Sequence, residues 1–181
     1  MTKPRVKICC ISSLVEAELA VRYGASALGL VSAMPSGPGV IEEDLIAEIV
    51  ARVPPPIATF LLTSLQDAAR SGIHVTGEES VAEVVTVASQ VDAILLDSGN
   101  QNLAVKELGG TGRTHDWTLS RKIRETAGVP IFLAGGLKPE NVGEAIRAVE
   151  PFGLDLCSGV RTDRKLDEAR LARFFERVAG A

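Results

Sequence analysis

The chain has no long apolar run, no surplus of positive charge, little histidine and no spaced pair of cysteines, and each shortage closes off a class of function. No stretch approaches the roughly 18 consecutive apolar residues of a membrane-spanning helix. The opening MTKPRVK leads into a strand pattern without the apolar core and small-residue cleavage site of a secretory signal, so a cytoplasmic location is expected. With a net charge of −4 and basic residues scattered along the chain, neither a nucleic-acid surface nor a membrane surface is indicated, and an anionic ligand must be held by local geometry. Three cysteines, an odd number with Cys9 and Cys10 adjacent, make no disulfide framework. Without a C-x-x-C spacing and with only two histidines, a thioredoxin-like pair and a zinc site are both poorly supported.

What is present is the balance of a single domain spanning residues 1–181, with 46% hydrophobic and 23% charged residues. Short β-branched or Leu-rich runs alternate with longer stretches of helical period, jointed by Gly, Pro or Asn, which is the pattern of βα units around a parallel sheet. Strands are expected at 5–11, 27–32, 56–63, 72–76, 91–98, 129–135 and 153–159. Helices are expected at 13–23, 41–52, 64–70, 78–89, 116–127, 140–149 and 167–179. An eight-stranded βα barrel and an open doubly wound sheet both fit; the glycine-rich turns after the late strands favour the barrel, where such turns form a phosphate site.

Three turns carry that signal. LAGGLKPENV supplies Gly135 and Gly136, LCSGVRTD supplies Ser158 and Gly159, and ELGGTGRTHDW supplies Gly109, Gly110 and Gly112 with Thr111 and Thr114. Each alone is more often just a tight turn; on consecutive units they indicate a face that presents backbone N–H groups to an oxyanion. Asp97 and Asp155 stand near the ends of apolar strands, where a carboxylate points into the mouth of a barrel and one could act as acid while the other holds hydroxyls, although Asp97 could instead be an N-cap or accept from a loop. Alternation along the first strand sends Cys9 and Cys10 to opposite faces, Cys9 toward the mouth. Bland packing roles suit Trp117, His74 and Cys157, and either packing or the mouth suits His115.

In order along nearly the whole chain, KICCIS, GASALGL, LLDS, GGTGRTHDW, LAGGLKPENVGEAI and DLCSGVR resemble the successive motifs of the phosphoribosylanthranilate isomerases, βα-barrel enzymes of tryptophan biosynthesis. The resemblance implies an Amadori rearrangement of a phosphosugar amine, with neither metal nor organic cofactor. It makes Cys9 the general base and Asp97 the general acid. It sets phosphate on Gly112, Gly135, Gly136, Ser158 and Gly159, and a ribose hydroxyl on Asp155. Lys7, on the same face as Cys9, either steadies a thiolate or serves as an interior ion-pair residue. Such steadying matters because only about 3% of an ordinary thiol is ionised at pH 7.

Two departures from the pattern stand out. SGPGV, Ser36 to Val40, has Pro38 where the family's SPR-x-V places an arginine for the anthranilate carboxylate. Losing a hydrogen bond to a charged group costs about 1.5 to 3 kcal/mol, which favours a divergent or non-catalytic phosphosugar- or protein-binding member as the alternative reading. The chain is also short for a (βα)8 TIM-type barrel, as though about one βα unit were missing near residues 69–71, either lost from the protein or omitted from the sequence. A real loss leaves sheet edges for a partner to cover, so a homodimer is one arrangement to expect.

Overall fold

Arg5–Ile8 (β1) alternates charged and apolar residues, and the alternation decides which way the sheet faces. Val6 and Ile8 are buried beneath helices, while Lys7 turns to the other side. The computed structural model describes residues 3–33, 38–63, 72–98 and 114–181, with the backbone alone over 72–74. The other parallel strands are Ala27–Val31 (β2), Ala58–Leu62 (β3), Gly72–His74 (β4), Ile94–Asp97 (β5), Ile131–Leu133 (β6) and Gly153–Leu156 (β7). Helices Leu14–Tyr23 (α1), Glu43–Arg52 (α2), Glu79–Ala88 (α3), Trp117–Ala127 (α4), Val142–Val149 (α5) and Glu168–Ala179 (α6) alternate with them. The expected helix at 64–70 lies outside the described residues.

Local chemistry sets the boundaries. The Ser13 hydroxyl accepts from the Glu16 amide to start α1, and Gly24, left-handed at φ 106°, ends it. Asp116 and Asp167 cap α4 and α6 in the same way, accepting from the amides of Thr118 and Arg170. VPPPI stops α2 because proline neither donates to the helix nor permits a helical residue before it. In α6, Leu171, Phe174 and Val178 form the buried stripe that the spacing predicts.

The sheet order is β3-β2-β1-β7-β6-β5-β4, with every pairing parallel. It is strongly curled. Neighbouring strands lie about 4.8 Å apart, so β3 and β6, four steps apart, would be nearly 20 Å from each other in a flat sheet. Yet the Phe60 and Phe132 ring centroids are 6.3 Å apart. Phe152 continues this edge-to-face chain at 5.5 Å from Phe132, inside the curl. Outside it, two apolar clusters seal helices to strands: Val6, Ile8, Leu28, Leu154 and Phe174 in one, and Val84, Ile94, Leu96, Ile123 and Ile131 in the other. Each fully buried large side chain contributes about 1.5–3 kcal/mol.

This is a (βα)8-type barrel with a unit missing, as the sequence predicts. Among the described residues β3 and β4 each pair on one side only, which leaves a seam between these two edge strands. Sequence reading does not anticipate a two-stranded hairpin between β7 and α6, Arg161–Thr162 (β8) with Lys165–Leu166 (β9). Its turn residues, Asp163 and Arg164, both have positive φ, 50° and 66°. Among the described residues no helix is long and apolar enough to cross a membrane.

Candidate active site

The C-terminal ends of β1, β7, β6 and β5 are contiguous in the sheet. Lys7 and Asp155 are register partners on β1 and β7. The Lys7 ammonium donates to Asp155 Oδ2 at 2.7 Å, with both side chains only 7% exposed. Asp155 Oδ1 is buried and has no partner among the described residues, leaving a carboxylate oxygen with unused lone pairs. Burial works against the Lys7 charge, but the Asp155 carboxylate and the Cys9 sulfur outweigh it and hold the ammonium above its ordinary range.

Cys9 follows the last residue of β1 and is buried against Gly29 of β2. A Cβ at Gly29 would stand 2.8 Å from Cys9 Sγ and 3.2 Å from Lys7 Cε, so both side chains occupy the space a larger residue would take. The Cys9 thiol lies below the ordinary thiol range, first through the Cys10 S–H and then through the Lys7 ammonium, against burial and the Asp155 charge. Lys7 therefore acts both as an ion-pair residue and as a cation beside the thiol.

Cys10 requires a correction. Alternation would send it away from Cys9, but pairing in β1 stops at Ile8 and Cys10 adopts a left-handed conformation, φ 61°. That conformation costs a residue with a Cβ roughly 1–2 kcal/mol. The turn brings Cys10 back beside Cys9 and Val31, with Cys157 packed against them. Cys157 is thus part of a thiol cluster, more than filler. Hydrogen bonding to Cys157 and Cys9, together with burial, pushes the Cys10 thiol far up, while Cys157 is pulled down to about 7, chiefly by the Cys10 S–H and then by Arg161. Gly39, at φ 80°, gives Cys10 its room, since a Cβ there would lie 2.5 Å from Cys10 Cβ.

Asp97 ends β5, two strands along the sheet from β7, half-buried, with Oδ1 accepting from the Ser98 amide at 2.7 Å. After β6, Gly135 and Gly136 take positive φ, 84° and 61°, and among the described residues neither amide donates to a backbone carbonyl. Asn141 ties this turn to α5, donating to the Gly136 carbonyl at 3.0 Å and accepting from the Lys138 amide at 2.9 Å. After β7, Ser158–Val160 form a single 3-10 turn, whose leading N–H groups have no partner within it. The two turns are in contact: a Cβ at Gly159 would fall 1.8 Å from the Leu137 carbonyl oxygen. Gly135, Gly136, Ser158 and Gly159 therefore share one corner. Gly112, with Gly109, Gly110 and Thr111, lies outside the described residues, and so does most of the second loop before Pro38.

His115 Nε2 and Ser120 Oγ share a 2.6 Å hydrogen bond, and burial lowers the His115 pKa to about 4, so the ring is neutral at pH 7. Trp117 opens α4 and packs against the larger core. Sequence reading misses Glu16 and Arg161, an ion pair at 2.8 Å with side chains 10% and 6% exposed, directly behind Cys9. Among the described residues no group of three His, Cys, Asp or Glu side chains is placed to hold a metal ion.

A family model for N-(5'-phosphoribosyl)anthranilate isomerase matches residues 62–177. The isomerase of Methanosarcina acetivorans is 32% identical, with 97% of this chain and 93% of the relative covered. That alignment runs over 226 positions, more than the 181 residues here, so the relative carries segments without a counterpart in this chain. Isomerase 2 of Methanosarcina mazei is 34% identical over 96% of this chain and 93% of its own. Among solved structures, the phosphoribosyl anthranilate isomerase of Thermotoga maritima superposes with a TM-score of 0.79 at 26% identity, covering 98% of this chain and all of that one.

Proposed function

The chain belongs to the N-(5'-phosphoribosyl)anthranilate isomerase family, and we propose that it catalyses the Amadori rearrangement of N-(5-phosphoribosyl)anthranilate to 1-(2-carboxyphenylamino)-1-deoxyribulose 5-phosphate by general acid–base chemistry. Asp97 donates a proton to the ribose ring oxygen as the C1–O bond opens to an iminium. Cys9, as thiolate, removes the proton from C2, which is acidic beside the iminium; the resulting enolamine then becomes the ketose. Positioned acids and bases each contribute about 10² to 10⁴ in rate.

The single observation that carries this reading is the Lys7–Cys9–Asp155 constellation: a buried thiol with lowered pKa beside a fixed cation, and a carboxylate with one oxygen unused. Lys7 stabilises the thiolate. Asp155 Oδ1 accepts from a ribose hydroxyl. The phosphate rests on amides of Gly135, Gly136, Ser158 and Gly159, with Gly112 completing the set.

Complementation of a tryptophan auxotroph lacking this isomerase tests the proposal. Rescue by the wild-type chain, lost in Cys9→Ser and in Asp97→Asn, is the expected result. Failure of well-folded wild-type protein to rescue refutes it and favours a phosphosugar-binding protein without isomerase activity, the reading to which Pro38 in the second loop gives weight.

A further inference from the structure

We propose that Arg161 is a positioning residue for Cys9, its guanidinium clamping the two peptide planes that flank Cys10 and so fixing the turn from which the thiol projects. The proposal rests on reading Cys9 as the base. Arg161 Nη2 donates to the Cys9 carbonyl at 3.2 Å and to the Cys10 carbonyl at 2.7 Å. Those carbonyls belong to the planes on either side of the Cys10 Cα, so one nitrogen holding both sets φ and ψ of Cys10 and, through the first plane, ψ of Cys9. The amides nearby are already committed, Cys9 N–H to the Leu156 carbonyl at 2.9 Å and Ile11 N–H to that of Gly29 at 3.0 Å. The Cys10–Ile11 plane is thus held from both edges, by Gly29 of β2 and by the guanidinium, and the guanidinium also holds the Cys9–Cys10 plane.

The guanidinium is itself fixed. Its Nη1 donates to Glu16 Oε1 at 2.8 Å and to the Arg164 carbonyl at 3.1 Å. Glu16 also accepts from the Leu166 amide at 2.8 Å and, through Oε2, from the Ser12 amide at 2.9 Å. The β8–β9 hairpin and the first turn of α1 are thereby joined behind the Cys9–Cys10 turn. A planar fork can serve Glu16 and both carbonyls together, which an ammonium cannot.

The test compares Arg161→Gln, Arg161→Lys and Cys9→Ala in the purified chain, measuring kcat and KM for phosphoribosylanthranilate, denaturant midpoints, and alkylation of Cys9 by iodoacetamide followed by peptide mass. Misplacing a reacting group by about 1 Å costs about 10²-fold. Arg161→Gln is expected to lose about that much in kcat, with KM within about twofold of wild type. Arg161→Lys, which keeps the charge for Glu16, is expected to regain stability without regaining kcat. The proposal is overturned by wild-type kcat in folded Arg161→Gln, or by full recovery of kcat in Arg161→Lys, which would leave charge alone as the requirement. Activity remaining in Cys9→Ala would instead refute the assignment of the base, an outcome separate from both.

Discussion

Replacing Lys7 by Met separates the two tasks of that residue. The substitution keeps much of the side-chain volume but leaves Asp155 buried, 7% exposed, without its 2.7 Å partner. Breaking a buried pair from one side costs about 3–5 kcal/mol, because an uncompensated charge remains in the interior. The unfolding free energy of Lys7→Met is therefore expected to fall by that amount, read from a lower denaturation midpoint, and Lys7→Met with Asp155→Leu should recover most of it. The pH dependence has a definite sign. Because the pKa of Lys7 is raised on folding, its contribution is fully present through the neutral range and fades only in strong alkali, where the ammonium finally deprotonates.

The second effect falls on Cys9. Lys7 is one of the two groups holding that thiol down, so its removal raises the Cys9 pKa. Each unit of rise is 1.36 kcal/mol and cuts the thiolate about tenfold at pH values below both pKa values. Alkylation of Cys9 by iodoacetamide, followed against pH, should move to higher pH, and the acidic limb of kcat/KM should move with it. An unchanged alkylation profile would show that Lys7 does not stabilise the thiolate. An unchanged denaturation midpoint would show that the buried pair is not what keeps Asp155 in place.

Gly29→Ala should lower kcat with little loss of fold, since the new methyl would press on the Cys9 sulfur at 2.8 Å; steady-state kinetics beside a denaturant curve checks it. Gly159→Ala should be more damaging, because nothing but backbone can yield where a Cβ would stand 1.8 Å from the Leu137 carbonyl oxygen; reduced Tm together with weakened protection by inorganic phosphate is expected. Among the thiols, Cys157 should alkylate with a midpoint near pH 7 and Cys10 should stay unreactive, and Cys10→Ser should alter Cys9 and Cys157 together, as both sulfurs draw on the one Cys10 proton. Peptide mass after timed alkylation at several pH values reads out all three.

The fold is legible in the sequence because its two periods are clean: Val6 and Ile8, or Ile94 and Leu96, repeat every second residue under helices whose apolar positions repeat every third or fourth. Strand ends are overrun for a physical reason, since residues such as Cys9 to Ile11 or Ala134 keep their apolar character after ladder pairing has stopped. Lys7 is reached by alternation alone. The Cys10 turn is not, because no feature of a cysteine signals positive φ. Glu16 and Arg161 stand 145 residues apart and disclose their relation only in contact. The β8–β9 turn is hidden because Asp163-Arg164 lacks the glycine that usually announces such a turn.

The place of the missing unit explains how a shortened barrel keeps its candidate site residues on one run of neighbouring strands. Lys7 belongs to β1 and Cys9 follows its end, Asp155 belongs to β7, Gly135 and Gly136 follow β6, and Asp97 ends β5, four strands that neighbour one another in the sheet. Each of those strands has a hydrogen-bonded partner on both sides, so the positions of the site residues depend on ladders that the seam does not interrupt. The seam falls beyond them, between β3 and β4, and its cost appears there: Phe60 and Leu61 on β3 are 42% and 59% exposed, on a strand paired along one edge among the described residues. Exposed apolar edges invite association. Loss of a unit at this position therefore weighs on solubility and on the stability of β3 before it reaches the chemistry at β1 and β7. A deletion between β7 and β5 would have separated Cys9 from Asp97 outright.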